Sequence, residues 1–215
     1  MALVRENTAI AETANPGLVL VVDDEGPLRS SLRSLMRSAG FDVAVFESCD
    51  DFLSYDLEDV PCCLLLDLRM RGQSGLDLQA RLLQDKVDIP IIFLTACGDI
   101  STTVAAMKAG AHDFLCKPIA EQDLMGAVAS ALEKHRAVRT ARRKLEEVRR
   151  SYEALSSREG EVMRHVALGM NSKEIARLVG ISEITASIHL ENAMKKMNAH
   201  SFPQLVLRAR QLQLC

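Results

Sequence analysis

Short apolar runs alternate with amphipathic segments through the first 130 residues of the chain. Between the runs, apolar side chains recur at helical spacing, as at Leu28, Leu32, Leu35 and Met36, so a helix is predicted to follow each run. The runs themselves are five or six residues long and predict β-strands over 18–22, 41–46, 62–66, 89–94 and 112–116. Five such β–α units predict an α/β domain built on a doubly wound, five-stranded parallel sheet.

A different pattern begins at residue 155, where the spacing predicts an all-α domain of four short helices. They are expected to run from Ser156 or Ser157 to about 168, over 173–179, over 183–197 and over 202–212. Ser172 and Ser182 are expected to cap the second and third helices, and Gly180 lies in the short turn between them. Two helices joined in this way predict a helix-turn-helix, whose later helix enters the major groove of DNA.

Between the two patterns, residues 121–154 lack proline and have no glycine after Gly126, which predicts a long helix. Its far part is either a solvated linker or a dimerising coiled coil, because its apolar residues follow only a weak heptad spacing from Val138 to Leu155. The predicted division is a flexible arm over 1–17, an α/β domain over 18–132, a linker helix over 133–154 and an all-α domain over 155–215.

The charge is divided unevenly along the chain. Residues 1–130 carry 20 acidic and 10 basic side chains, whereas residues 155–215 carry 5 acidic and 8 basic ones. This asymmetry suggests that only the second domain meets a polyanion.

No apolar run approaches the length of a membrane span, and the first seventeen residues lack the apolar core of a signal peptide, so a cytoplasmic protein without membrane contact is expected. The six cysteines show no zinc-binding spacing and are predicted to be buried or incidental thiols.

Polar side chains follow the predicted strands at their carboxyl ends. Asp23 and Asp24 follow the first strand, Asp67 the third, Thr95 the fourth and Lys117 the fifth. Because the ends of parallel strands share one edge, these groups are expected to converge. Three carboxylates require a cation, and oxygen ligands favour Mg²⁺. An aspartate beside such an ion can attack a phosphoryl group, with the lysine and the threonine binding its oxygens. The simpler alternative is that the acids only cap the helices that follow.

Residues 18–130 resemble the receiver domain of two-component response regulators in the stretches VLVVDDEGPLR, LLLDLRM, SGLDL, IIFLTACGD and AMKAGAHDFLCKP. The resemblance implies that Asp67 is the phosphoacceptor, that Thr95 and Lys117 contact the phosphoryl group, and that Phe114 is the switch aromatic. It also implies that Mg²⁺ is held by Asp23, Asp24, Asp67 and the backbone carbonyl of Arg69, and that the bond between Lys117 and Pro118 is cis.

Two positions depart from the receiver pattern. Arg71 stands where the family commonly has proline, which predicts a looser loop after Asp67. Cys97, two residues after Thr95, is either a redox-sensitive thiol or simply a small side chain.

The stretch from Leu155 to Met197 resembles the LuxR-type helix-turn-helix, and the chain over residues 18–210 resembles the NarL/FixJ class of response regulators. Helical spacing in its third helix turns Ala186, Leu190, Ala193 and Met197 toward the domain core. The side chains left to face DNA are Ser187, Ile188, Glu191, Asn192 and Lys195, of which the resemblance makes 187, 188 and 191 the base readers. Lys173, Lys195 and Lys196 are expected to contact phosphates. Glu191 either reads a cytosine or pairs with Lys195.

These features predict a phosphorylation-activated transcriptional regulator rather than an enzyme. The expected partners are a sensor histidine kinase, double-stranded promoter DNA, RNA polymerase and a second copy of the chain. A haloacid-dehalogenase type of phosphatase also uses an aspartate and Mg²⁺, but it needs a second aspartate two residues later, where this chain has Arg69. A third hypothesis is an adaptor whose basic domain binds protein only.

Overall fold

A computed structural model describes residues 17–72, 74–96 and 100–214. The predicted arm, apart from Gly17, lies outside these residues, as do Cys97 and Cys215. The chain forms two compact units, Met1–Val138 and Arg139–Cys215. No helix among the described segments has the length and apolar content needed to cross a membrane.

The first unit is a five-stranded parallel sheet in the order β2-β1-β3-β4-β5, which confirms the predicted doubly wound architecture. The strands are β1 (Leu18–Val22), β2 (Asp42–Phe46), β3 (Cys62–Asp67), β4 (Ile91–Ala96) and β5 (Asp113–Lys117). Since all strands are parallel, their carboxyl ends lie along one edge, and the loops that follow them meet there.

Helices cover both faces of this sheet because residues of each central strand alternate between two apolar cores. The first five helices are α1 (Gly26–Ser38), α2 (Cys49–Leu53), α3 (Gly75–Gln84), α4 (Ile100–Lys108) and α5 (Glu121–Glu153). Leu18 and Leu20 of β1 pack with side chains of α2 and α3, whereas Val19 and Val21 pack with side chains of α1 and α5. The buried cores fix the strand ends and hence the polar edge.

Among the cysteines of this unit that the structure describes, three are buried, as the sequence predicted, and a fourth, Cys116, is exposed. Burial raises the pKa of Cys49 to about 11 and that of Cys63 to about 12. Such thiols are unreactive at neutral pH because the thiolate is the reactive form.

The second unit contains the four predicted helices, α6 (Ser157–Ala167), α7 (Ser172–Val179), α8 (Glu183–Lys196) and α9 (Phe202–Gln211). Their core includes Val166, Ile175, Met197 and Leu205. Three further side chains pack against it from the end of α5 and the segment after it, namely Val148, Tyr152 and Leu155. The division between the two compact units falls within α5, after Val138.

Serine and asparagine side chains set where these helices begin. Ser156 caps α6, and Ser182 caps α8 as predicted. The cap predicted at Ser172 is wrong, because Asn171 caps α7 by accepting hydrogen bonds from the backbone N–H groups of Lys173 and Glu174, both at 3.1 Å. Gly180 ends α7 with a φ of 71°, the left-handed conformation that glycine adopts without strain.

Candidate functional site

Asp23, Asp67 and Lys117 come together at the carboxyl edge of the sheet. Asp23 follows β1, and Asp67 ends the neighbouring β3. Both carboxylates are buried, and Lys117 at the end of β5 donates hydrogen bonds to each, at 3.0 Å to Oδ2 of Asp23 and 3.1 Å to Oδ2 of Asp67. The three predicted residues therefore form one charged cluster.

The electrostatics of this cluster are dominated by burial and by Lys117. Burial raises the pKa of Asp67 above its usual value, although hydrogen bonds from the backbone N–H of Arg69 and from Lys117 act in the opposite direction. Burial lowers the pKa of Lys117, but its hydrogen bonds to Asp23 and Asp67 outweigh this effect and leave it raised. One ammonium therefore lies between two buried carboxyl groups. The negative charge of this pair exceeds the positive charge of Lys117, which favours the binding of a further cation.

Glu25 joins this cluster and was not predicted from the sequence. Its carboxylate accepts a hydrogen bond from Lys117 at 3.4 Å, and its backbone N–H donates to Oδ1 of Asp23 at 2.7 Å. Oxygens of Asp23, Glu25 and Asp67 lie within 4.8 Å of one another. An all-oxygen group of this kind suits a hard divalent cation such as Mg²⁺. The signal in the sequence was a third acid directly after the Asp23–Asp24 pair.

Asp24 makes different contacts from those of its neighbour. Its Oδ2 accepts a hydrogen bond from the backbone N–H of Arg71 at 3.1 Å and lies 3.7 Å from Nε of the same residue. The loop after Asp67 is thereby tied to the loop after β1, although Arg71 was predicted to make it looser. The predicted role of Asp24 at a metal ion stays a prediction.

A glycine packs directly on the backbone of Asp67. A Cβ at Gly75, the first residue of α3, would clash with the Asp67 carbonyl and would lie 3.1 Å from the ring of Phe93. The backbone N–H of Gly75 donates to the carbonyl of Leu68 at 3.2 Å, and the capping box of Ser74 with Asp77 fixes the start of the helix. The close approach of α3 explains why glycine stands here, and it fixes the position of Asp67.

Thr95 lies in β4, and Phe114 lies in β5, the strand that ends at Lys117. Thr95 is buried, and its hydroxyl donates to the carbonyl of Ala96 at 3.2 Å. Phe114 is 40% exposed, so its ring stands outside the two sheet cores. The peptide bond between Lys117 and Pro118 is cis, as the family resemblance implied.

The second candidate site is the outer face of α8. Ala186, Ala193 and Met197 are buried and Leu190 is half-buried, as helical spacing predicted. On the outer face, Ser187, Ile188, Glu191 and Lys195 are exposed and Asn192 is half-buried.

Ion pairs modify the predicted roles of three residues in this domain. Nζ of Lys195 lies 2.8 Å from Oε1 of Glu191, and this hydrogen bond lowers the pKa of the Glu191 carboxyl. Nζ of Lys196 lies 2.7 Å from Oε2 of the buried Glu159, whose pKa is lowered chiefly by that hydrogen bond. Lys196 is thus engaged within the domain, whereas Lys173 at the start of α7 is exposed.

Two families match the two units. Residues 19–129 match the response regulator receiver domain, and residues 153–209 match the bacterial regulatory proteins of the luxR family. The chain is 44% identical to nodulation protein W of Bradyrhizobium diazoefficiens, over 91% of this chain and 86% of that protein. It is 37% identical to the transcriptional regulatory protein FixJ of Rhizobium meliloti, over 89% and 94% of the two chains. The structure of the response regulator StyR matches with a TM-score of 0.80 and 41% identity, covering 90% of this chain and 98% of that one.

Proposed function

The chain belongs to the two-component response regulators that join a receiver domain to a LuxR-type DNA-binding domain, and on that premise we propose that a sensor histidine kinase phosphorylates Asp67. The protein is a DNA-binding transcriptional regulator of a two-component system. The observation that carries the assignment of Asp67 is its hydrogen bond to Lys117 within a buried, acidic cluster at the carboxyl edge of the sheet.

Each residue of the cluster has a distinct part in the transfer. A carboxylate oxygen of Asp67 attacks the phosphorus of the phosphohistidine, the phosphorus–nitrogen bond breaks, and an aspartyl phosphate forms. Lys117 binds one phosphoryl oxygen, and the Thr95 hydroxyl leaves the Ala96 carbonyl to donate to another. Asp23, Asp24, Asp67 and the carbonyl of Arg69 would hold Mg²⁺, with Glu25 close by, and this ion supplies positive charge to the transferred oxygens.

Phosphorylation then changes the surface of the receiver. We assign the readout to Thr95 and Phe114, because movement of Thr95 toward the phosphoryl group opens space into which the exposed ring of Phe114 can turn. The altered surface favours a homodimer that binds paired half-sites in promoter DNA, where RNA polymerase is a further partner. With these partners, we propose a cytoplasmic location for the protein. Arg69 stands where a phosphatase of the haloacid-dehalogenase type would need an aspartate. We therefore do not propose that the protein hydrolyses external phosphate esters.

In the DNA-binding domain, the proposed base-reading face comprises Ser187, Ile188, Glu191 and Asn192. Lys173 and Lys195 are exposed and are proposed to contact phosphates. Lys196 contributes to DNA binding only if it leaves the buried Glu159, whereas the partner of Lys195, Glu191, is exposed to solvent. We therefore assign Lys196 a smaller share than the other two lysines.

The test of this function is DNA binding with and without a small acyl phosphate donor and Mg²⁺. The wild-type protein is expected to bind its preferred duplex more tightly after phosphorylation, and Asp67→Asn is expected to show no response to the donor. An equal response of both proteins would contradict the assignment. If DNA binding depends neither on salt concentration nor on the sequence of the duplex, the result would instead favour the adaptor hypothesis, since phosphate contacts are strongly salt-dependent.

A second prediction separates the two roles of Glu191. Because its carboxylate is paired with Lys195, we expect Glu191→Gln to free this lysine and raise affinity slightly for every duplex tested. The measurement is the dissociation constant on duplexes that differ at single base pairs, at fixed salt. If Glu191 instead reads a cytosine, the preference for that base pair should fall by about 5- to 160-fold, while the preferences at the other positions stay unchanged.

A further inference from the structure

Ile184, the second residue of α8, is 75% exposed, more than any other large apolar side chain among the described residues. Ile188, one turn later, is 53% exposed. Residues four apart lie on the same side of a helix. The two isoleucines therefore form a small apolar pair on the surface of the domain, and Ile184 was not among the residues predicted to contact DNA.

Helix geometry places Ile184 at the centre of the DNA-facing side. Successive residues are about 100° apart around a helix of 3.6 residues per turn. Ile184 and the buried Ala193, nine residues apart, therefore point in opposite directions. By the same measure, Ile188, Glu191 and Lys195 lie within about 40° of Ile184. An isoleucine directly opposite the core has no packing role in its own domain.

We propose that Ile184 is a specificity-determining residue that reads thymine through an apolar contact with its 5-methyl group. The proposal rests on the DNA-binding function above. The first turn of the later helix of a helix-turn-helix contacts base edges, and Ile184 lies in that turn. An isoleucine side chain cannot hydrogen-bond to a base edge, whereas the thymine methyl is an apolar group displayed in the major groove.

The surroundings of Ile184 favour DNA over a protein partner. Ser187, Glu191 and Lys195 flank the two isoleucines, and all three are polar and exposed. Two apolar side chains among such neighbours offer far less area than a stable protein interface buries. The methyl group of one base, in contrast, needs only one apolar side chain. Ile188 lies about 6 Å further along the helix and is expected to meet a different base.

The test uses the full-length protein and a duplex selected from random sequence. Each thymine of that duplex is replaced in turn by deoxyuridine, which lacks only the 5-methyl group. For the wild-type protein, we expect deoxyuridine in place of the thymine that Ile184 contacts to raise the dissociation constant about fourfold. This factor corresponds to the burial of one methyl group. Ile184→Ala should bind the thymine duplex less tightly, yet lose nothing further at that position. Ile188→Ala should keep its sensitivity there.

Leu83→Ala is the matched control, since Leu83 is an exposed leucine on α3 of the receiver. It should respond to every deoxyuridine as the wild-type protein does. The proposal is overturned if no deoxyuridine weakens wild-type binding, or if Ile184→Ala keeps the full wild-type response at every thymine. A change of oligomeric state in Ile184→Ala without any effect on DNA would also overturn it. If the wild-type protein binds all duplexes without sequence preference, the result would contradict the proposed function itself.

Discussion

Asp67→Asn is expected to abolish phosphorylation of the chain while the protein stays folded. Asp67 combines a buried carboxyl, a hydrogen bond to Lys117 and a place beside Asp23 and Glu25. Asparagine has nearly the same size but lacks the anionic oxygen that attacks phosphorus. Lys117 keeps its hydrogen bonds to Asp23 and Glu25, so its charge remains compensated.

The measurement is incorporation of labelled phosphoryl group from a small acyl phosphate in the presence of Mg²⁺. One phosphoryl group per chain is expected for the wild-type protein and none above background for Asp67→Asn. Asp88→Asn is the control, because Asp88 is exposed and precedes β4 at the opposite edge of the sheet. Undiminished labelling of Asp67→Asn, with an unchanged thermal transition, would place the phosphoacceptor elsewhere.

The strands could be predicted because buried parallel strands are continuous apolar runs. Where the predicted ends differ from the observed ends, the difference is one or two residues. Residues 89 and 90 were included in β4 on apolar character alone. The strand begins at Ile91, since Pro90 has no N–H to donate and contributes only its carbonyl, which accepts from Leu64 at 2.9 Å. The predicted cap at Ser172 is also off by one residue. Asn171 is the cap because it stands three residues before Glu174, which completes its capping box.

Long-range pairs among charged groups could be predicted only where the ends of parallel strands bring the residues together. Asp23, Asp67 and Lys117 were found because strand ends share an edge. Glu25 lies three residues beyond the end of β1 and joins them because the long side chain of Lys117 reaches it. Lys196 was expected to contact DNA phosphates, but its ammonium pairs with Glu159, which is 37 residues away in sequence. The capping box at Ser156 predicts a local role for Glu159, and the second role appears only in the folded domain.

Removal of residues 139–155 is expected to destabilise the DNA-binding domain strongly. Val148, Tyr152 and Leu155 pack against its core, and the Tyr152 hydroxyl lies 3.8 Å from where a Cβ of Gly160 would stand. Full burial of one such side chain contributes about 1.5–3 kcal/mol, so three half-buried ones together contribute about 2–4 kcal/mol. For a domain of this size, that loss corresponds to a melting temperature lower by roughly 10–25 °C.

The comparison is thermal unfolding of fragments 139–215 and 156–215, followed by circular dichroism. Within the longer fragment, Tyr152→Ala should lower the transition by part of the same amount, because it removes one of the three contacts. Arg149→Ala is the matched control on the exposed side of the same helix and should leave the transition in place. If both fragments unfold at one temperature, the domain begins at residue 155 as its sequence pattern predicts. If the shorter fragment is much less stable, the last turns of α5 belong to the DNA-binding domain, and a change in that helix alters DNA binding through the core that holds α8.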